Sequence, residues 1–226
     1  MPSTNRGLML AAAVLLALAA PPALAEDKAE AQDIVDKATQ SVGTFATDPN
    51  MSTFREYAGR AKGLLVVPTM VKGGFLLGGS GGSGVLLARG DKGKAWSHPA
   101  FYTLGSVTFG LQIGGEVSEL VLLVMTERGM QSLLRSSAKL GGDVSVAAGP
   151  VGVGAKAATA DILAFSRTKG LYGGINVEGA ILDVRDDWNG AYYDGKVTPE
   201  DILINRAHGR KAANALRKAV AEAAGG

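Results

Sequence analysis

Few residues in this chain of 226 have the types and spacing that catalysis or metal binding needs. His98 and His208 do not form a helical pair, and neither has a carboxylate at metal-ligand spacing, so no zinc site is indicated. The acids Asp183, Asp186 and Asp187 lie close together, as in a paired-carboxylate hydrolase or a calcium loop. Their spacing does not match an EF-hand, and we interpret them as the solvated end of a strand.

A glycine-rich run, GGSGGSG at 78–84, has the composition of a phosphate-binding loop. No Lys-Ser or Lys-Thr pair follows it, and the next segment reads as a strand where that loop needs a helix. Neither Ser80 nor Ser83 lies in a G-x-S-x-G motif at a strand-to-helix turn. We therefore interpret the run as the turn of a β-hairpin, and we expect no cofactor and no metal.

Glycine makes up 32 of the 226 residues, about twice the usual share. The excess lies in segments rich in Val, Leu and Phe, which disordered chains lack. Glycine weakens a strand unless it forms a bulge, a bend or a close backbone approach. The pattern predicts a strongly curved sheet or a small barrel, in which we expect Gly79, Gly84, Gly174 and Gly179 to be needed for folding.

The apolar periodicity predicts an α+β fold: a curved antiparallel sheet or barrel with N-terminal, mid-chain and C-terminal helices. An N-terminal helix with an apolar face from Ala31 to Phe45 is followed by a short one capped by Thr53 and Glu56. The other predicted helices are at 126–138, from Thr198, and at 210–224. The predicted strands are at 64–67, 73–77, 84–88, 100–104, 107–113, 117–125, 143–148, 151–157, 161–166, 171–177 and 180–184.

The first 25 residues have the pattern of a secretory signal peptide: Arg6, an apolar run from Leu8 to Ala20, and the small residues Ala23-Leu24-Ala25. Cleavage after Ala25 would leave 26–226 as a single domain, and we expect a periplasmic or secreted protein. The chain has no cysteine and a formal net charge of +2. The first excludes disulfides, and the second argues against nucleic-acid binding, which usually needs a basic excess.

Four blocks of the chain, in order, resemble the SYLF domain family. They read AKGLLVVPTMVKGGFLLGGSGGSGVLLAR, WSHPAFYTLGSVTFGLQIGGEVSELVLLVM, LGGDVSVAAGPVGVGA and SRTKGLYGGINVEGAILDVRDDWNGAYY. The resemblance covers about 55–203 and is to the exported, single-domain bacterial members. It implies non-catalytic lipid binding, since animal members bind phosphoinositides through basic residues and an N-terminal amphipathic helix. Fungal members bind and bundle actin.

From the residues, Lys62, Lys72, Lys156 and Lys169 lie beside glycines at strand edges, where basic side chains near an apolar rim suit an anionic head group. The same lysines could instead be solvated residues that prevent association between sheets. The partner that we predict is an anionic phospholipid or membrane surface. The first alternative is a structural or self-associating envelope protein, as a homo-oligomer, and the second is a hydrolase that uses His98 or the Asp183 cluster.

Overall fold

The computed structural model describes residues 22–74, 77–90, 95–109, 114–149 and 159–225. These ranges contain six α-helices and nine strands. The helices are α1 Pro22–Thr47, α2 Ser52–Ala58, α3 Glu127–Leu133, α4 Asp186–Tyr193, α5 Pro199–Leu203 and α6 Asn214–Ala223. The strands are β1 Gly63–Gly74, β2 Leu77–Ala88, β3 Ala100–Phe109, β4 Gly114–Val124, β5 Ser137–Lys139, β6 Val146–Ala148, β7 Ile162–Thr168, β8 Leu171–Gly174 and β9 Ile181–Val184.

All nine strands belong to one curled sheet with the order β5-β9-β3-β2-β1-β4-β7-β6, and β8 also pairs with β7. Every pairing is antiparallel except that of β6 with β7, which is parallel. The predicted α+β fold with N-terminal, mid-chain and C-terminal helices is confirmed, and the sheet is mixed at one edge where we predicted it to be purely antiparallel. The long central hairpins explain why the strand segments read as one continuous glycine-rich region.

In the half of the sheet that contains the start of β1, both faces are buried. Leu64 and Val66 of β1 pack with α1, α2, α4 and α6 on one face, called here the outer face. Leu65 and Val67, which point the other way, pack with α3 and α5 on the inner face. Since successive residues of a strand point to opposite faces, burial on both sides explains the continuous apolar runs in the sequence.

Helix α1 is an integral part of the core. Its apolar face is completely shielded from solvent, because five of its side chains have no exposed surface: Ala31, Val35, Ala38, Val42 and Phe45. The ring of Phe45 packs on Phe54 of α2 with 5.4 Å between centroids, and Phe54 packs at the same distance on Phe165 of β7. The N-terminal helix is therefore held to the outer face by aromatic and aliphatic packing.

The glycine run at 78–84 lies within β2, so our interpretation of it as a hairpin turn is wrong. The predicted strand at 64–67 and the first two residues of the one at 73–77 belong to a single strand, β1, with a bulge between Val67 and Met70. Leu77 is the first residue of β2, and 75–76 lie outside the described residues. At Gly84 a Cβ atom would overlap the carbonyl oxygen of Val66. A bulge opposite small residues bends a strand, which is how this sheet curls.

Other boundaries differ from the prediction where local signals were weak. Helix α3 stops at Leu133 because Ser137–Lys139 pairs with β9 as strand β5. The predicted capping box of Thr53 and Glu56 is wrong, since α2 starts at Ser52 without a side-chain cap. The capping box at Thr198 of α5 is present, with Asp201 as the reciprocal partner. The strand predicted at 151–157 lies outside the described residues.

Helix α4, with the sequence DDWNGAYY, was not predicted. Asp186 and Asp187 lie in its first turn, where acids interact favourably with the positive end of the helix. Asp183 lies in β9 instead. The interpretation of these acids as a solvated strand end is thus wrong for two of the three.

Candidate functional site

The structure separates the four lysines that the sequence grouped. Lys62 lies just before β1, and its Nζ is 2.5 Å from Oε1 of Glu127. Lys72 lies near the other end of the same strand, roughly 30 Å away at the usual rise per residue. Lys156 lies outside the described residues. Lys62 and Lys72 therefore cannot contact one small ligand.

Lys169 and Lys72 lie at the same end of the sheet. Lys169 and Gly170 join β7 to β8 with φ angles of 49° and 80°, as in a two-residue type I′ turn. Ser118 of β4 pairs with Thr168, the residue before this turn, and Glu116 of β4 pairs with Lys72. Lys72 belongs to the inner face because the preceding residue, Val71, belongs to the outer face. Lys169 lies in the turn, so what the two lysines share is an end of the sheet.

A row of exposed aliphatic side chains crosses the outer face at this end of the sheet. Val117 pairs with Val71, Val71 with Gly81, Gly81 with Gly105, and Gly105 with Ile181. Directly paired residues share a face. Val117 is 59% exposed, Val71 53% and Ile181 44%. We call Val71, Val117 and Ile181 the apolar row.

Lysines flank the apolar row on both sides. Lys139 of β5 pairs with Ile181 and is exposed. On the opposite side, Lys169 lies in the turn directly after Thr168, and Thr168 pairs with Ser118, the neighbour of Val117. Three exposed aliphatic side chains thus lie between two exposed cations, Lys139 on the same face and Lys169 in the turn after β7.

Polar side chains separate the apolar row from the core. On the β4 and β7 side, Arg167 makes two hydrogen bonds to Glu119, of 2.8 and 2.6 Å. These bonds raise the pKa of Arg167, although burial opposes the shift. On the β2 and β3 side, Ser83 pairs with Thr103 in the same transverse position. The apolar row is therefore a separate surface feature and not the margin of the core.

The backbone between the side chains of the row is bare. A Cβ atom at Gly105 would meet nothing within 4 Å, and one at Gly81 would come no closer than 3.6 Å to a backbone oxygen. Gly73, one row further out, is equally open. Glycines inside a strand allow another surface to approach the backbone closely. A flat partner can therefore contact the sheet itself as well as the aliphatic side chains.

The residues that the hydrolase alternative needs have other partners. The Nδ1 atom of His98 accepts a hydrogen bond of 3.1 Å from the backbone N–H of Arg210. Burial, and then the charge of Arg217, lowers the pKa of His98. Asp187 is ion-paired with Arg185 at 2.7 Å. Among the described residues, no group of three acids or histidines could hold a metal ion.

Sequence reasoning missed Val71, Val117, Ile181 and Lys139. The strand pattern placed Val117 in a predicted strand and left Val71 between two of them, and it could not show which half of a strand the helices leave uncovered. The sequence signal for this surface is the density of glycines around it, since a face without side chains cannot form a core. Which residues lie side by side on that face depends on the bulge in β1 and on the pairing of strands distant in sequence.

A comparison with protein families matches residues 105–223 to the Ysc84 model, described as "Las17-binding protein actin regulator". An SH3 domain-containing protein of Schizosaccharomyces pombe is 37% identical over 164 residues, which is 69% of this chain and 38% of the relative. Protein YSC84 of Saccharomyces cerevisiae is 36% identical over 165 residues, 70% of this chain and 35% of that protein. The human SH3 domain-containing YSC84-like protein 1 is 33% identical over 151 residues, 64% of this chain and 44% of its own length.

The chain thus spans less than half the length of these relatives. No solved structure gives a significant match. Across the described ranges, no helix has the length and apolar character needed to cross a bilayer. The family model covers more than half of the sequence and includes strands β4 to β9, all of which lie in the same curled sheet. This chain therefore belongs to the Ysc84 family, whose domain is also called SYLF.

Proposed function

We propose that this protein is a non-catalytic module that binds the surface of an anionic phospholipid membrane through its apolar row. The observation that carries the proposal is the transverse line of Ile181, Val71 and Val117, exposed between Lys139 and Lys169. Aliphatic side chains that enter the head-group region and basic residues that meet anionic lipid are the two contributions from which peripheral membrane binding is built.

The geometry favours the sheet over the N-terminal helix as the membrane contact. An amphipathic helix binds a membrane with its apolar face, but the apolar face of α1 has no exposed surface. Releasing α1 would expose Phe45 and its contacts with Phe54, at a cost of several kcal/mol. The apolar row needs no such rearrangement.

The compartment belongs to the same proposal. The leader predicted at 1–25 would deliver the protein to the periplasm, where a membrane surface is available and actin is not. The description of the family model refers to Las17 binding and actin regulation. We therefore transfer to this chain only the general property of binding a surface, and we propose the periplasmic face of a membrane as that surface.

The test is co-sedimentation with vesicles that contain phosphatidylglycerol, compared with vesicles of phosphatidylcholine alone. We expect binding to the anionic vesicles that weakens as salt is added, since salt screens exposed charges. The double variant Lys139→Gln/Lys169→Gln should lose about thirtyfold in partitioning, at about 1 kcal/mol for each cation. The double variant Val71→Ser/Val117→Ser should bind weakly to both vesicle types.

The matched control is Lys211→Gln/Lys218→Gln, which removes two exposed lysines of the C-terminal segment and should bind as the wild type does. Circular dichroism of each variant verifies the fold. Equal binding by the row variants and the wild type would contradict the proposal. Absence of lipid binding together with concentration-dependent assembly would favour the self-associating alternative, in which a second copy covers the row.

A further inference from the structure

A second surface feature lies at the opposite end of the sheet from the apolar row. It is a cleft of about 490 Å³ between the end of α2, the start of β1, the end of β2 and helix α3. We call it the basic cleft, and its lining includes Arg60, Lys62, Arg89, Glu127, Met130 and Ile204. Three cations and one acid among these side chains leave the lining with an excess of positive charge.

Backbone pairing fixes two of the cations beside each other. The N–H of Lys62 donates to the carbonyl of Val124 at 2.7 Å, and the N–H of Arg89 donates to the carbonyl of Lys62 at 2.7 Å. Because Gly63 pairs with Ala88, Lys62 and Arg89 are directly opposite each other on neighbouring strands. Like charges in that position destabilise a sheet unless an anion lies between them.

Arg89 has no acidic partner in the described part of the chain. Its Nε donates to the carbonyl of Ala61 at 2.8 Å and its Nη2 to that of Ala58 at 2.7 Å. The guanidinium also lies over the ring of Trp96, 4.8 Å from the centroid. Burial lowers the pKa of Arg89. The Nε edge is thus occupied by neutral carbonyls, and the charge of a partly buried guanidinium is left without a counterion, although buried charges are normally paired.

The acids near the cleft are committed to the other two cations. Glu127 pairs with Lys62, and Glu56 pairs with Arg60 at 3.0 Å. Both acids are exposed, so solvent weakens these ion pairs. The apolar part of the lining comes from Met130, which is almost fully buried, and from Ile204, which is exposed. An apolar wall beside an uncompensated cation suits an amphiphilic anion.

We propose that the basic cleft binds a small organic oxyanion, a carboxylate or phosphate ester, between Arg89 and Lys62, with its apolar group against Met130 and Ile204. Guanidinium groups bind such oxyanions through paired, charge-assisted hydrogen bonds. Glu127 competes with the ligand for Lys62 and so limits the affinity. This site is distinct from the apolar row, and the proposal does not depend on the membrane function proposed above. The oxyanion could come from a soluble metabolite or from a lipid head group.

Calorimetric titration with n-butyl phosphate and with butyrate, each compared with n-butanol, tests the site. We expect saturable binding of at least one of the two anions and none of the alcohol. The variant Lys62→Gln should weaken binding about fivefold or more, the loss of one charge-assisted contact. The variant Glu127→Gln should strengthen it, because Lys62 is then free. These two variants, which should change the affinity in opposite directions, leave Arg89 unaltered. Replacing Arg89 would also remove its hydrogen bonds to the carbonyls of Ala58 and Ala61.

The control Lys72→Gln lies at the far end of β1 and should leave anion binding unchanged. Parallel co-sedimentation with phosphatidylglycerol vesicles separates the two sources of the oxyanion: a head group is the source if Lys62→Gln weakens both assays, and a soluble ligand if it weakens only the titration. Failure of both anions to bind, or equal affinity in the wild type, Lys62→Gln and Glu127→Gln, would overturn the proposal. The row variants Val71→Ser/Val117→Ser should retain anion binding, which distinguishes failure here from failure of the membrane function.

Discussion

The side-chain amide of Asn189 pairs with both backbone polar groups of Phe101. Its Oδ1 accepts the Phe101 N–H at 2.9 Å, and its Nδ2 donates to the Phe101 carbonyl at 3.2 Å. Asn189 has no exposed surface. A helix side chain thus takes the place of a neighbouring strand at this position of β3. The contact fixes α4 against β3 at the residue next to Tyr102, which pairs with β9.

We predict that Asn189→Ala lowers the free energy of unfolding by about 2 kcal/mol, because the buried N–H of Phe101 loses its acceptor. The carbonyl keeps a second donor, the N–H of Arg185 at 2.9 Å. Urea unfolding measures the change. Asn205→Ala, which removes an exposed amide bonded only weakly to Asp201 at 3.3 Å, should cost a few tenths of a kcal/mol. Similar losses in the two variants would contradict the role of Asn189.

Helix α4 also shows why part of the fold escaped the sequence. Its eight residues include Gly190 and three aromatic side chains, a composition with little intrinsic preference for helix. Tertiary contacts hold it: Trp188 and Tyr192 both pack on Phe101, with centroids at 6.1 and 4.9 Å. Such contacts join residues about 90 positions apart, and no local pattern encodes them.

The strands were predictable for the opposite reason. Runs such as Leu64 to Val67 are apolar on both sides because helices cover both faces there, and this signal is local. The apolar row could not be predicted from local sequence in this way. That Val71 lies beside Val117 and in line with Ile181 follows from the bulge in β1 and from pairings across five strands. Neither can be read from the spacing of residues along one strand.

Two glycines of neighbouring strands, Gly84 of β2 and Gly73 of β1, should differ sharply in their tolerance of a side chain. At Gly84 a Cβ atom would overlap the Val66 carbonyl oxygen, whereas at Gly73 it would meet nothing within 4 Å. We predict that Gly84→Ala lowers the free energy of unfolding by about 2 kcal/mol, as overpacking does. The matched change Gly73→Ala should be nearly neutral. Thermal unfolding of the two variants decides, and equal melting temperatures would show that the sheet relaxes around the new methyl group.

Among the other glycines predicted to be structural, Gly179 has a φ of 85°. A β-branched side chain is strained in that region by about 1–2 kcal/mol, so Gly179→Val should lower the melting temperature. At Gly79 the nearest atom to a Cβ would be a backbone oxygen at 3.4 Å, and a smaller effect is expected. Gly174 of β8 pairs with Phe165 of β7, and its contribution to folding stays a prediction.

Asp161 should make the free energy of unfolding depend on pH in the acidic range. Burial disfavours its charge, but hydrogen bonds from Arg128, Ser145 and Thr126 outweigh burial and hold the pKa of its carboxyl well below the usual range. The unfolded chain takes up this proton near pH 4, before the folded one does, so the stabilisation is complete above about pH 4 and is lost as the pH falls further.

The variant Asp161→Asn tests this link. We predict a loss of about 2 kcal/mol at pH 7, because the partly buried hydroxyl groups of Thr126 and Ser145 lose a charged acceptor. Arg128 contributes less to this loss, since its own side chain is mostly exposed. The difference between variant and wild type should shrink when urea unfolding is repeated at pH 3. Glu30→Gln, which removes an exposed carboxylate, provides the control and should show little difference at either pH. A constant difference for Asp161→Asn at the two pH values would mean that the folded and unfolded states bind this proton equally.

His98 should also make the protein less stable as the pH falls, but at a higher pH than Asp161 does. Its Nδ1 can accept the N–H of Arg210 only while that atom is unprotonated. Protonation would also place a cation near Arg217 in a half-buried site. Because burial and Arg217 lower the pKa of His98, the unfolded chain binds the proton first as the pH falls below about 6.5. The stabilisation that His98 provides is therefore complete above that pH and is lost below it.

The variant His98→Asn retains an acceptor near the position of Nδ1 and removes the titration. We predict that it costs about 1 kcal/mol at pH 7.5, the contribution of a typical hydrogen bond with imperfect geometry, and that the cost falls toward zero at pH 5. Guanidinium chloride unfolding at the two pH values measures both. His208→Asn alters the other histidine, which faces Tyr193 with 6.0 Å between ring centroids, and serves as the matched control. If the wild type loses no more stability than His98→Asn between pH 7.5 and pH 5, the imidazole does not link protonation to its contact with Arg210.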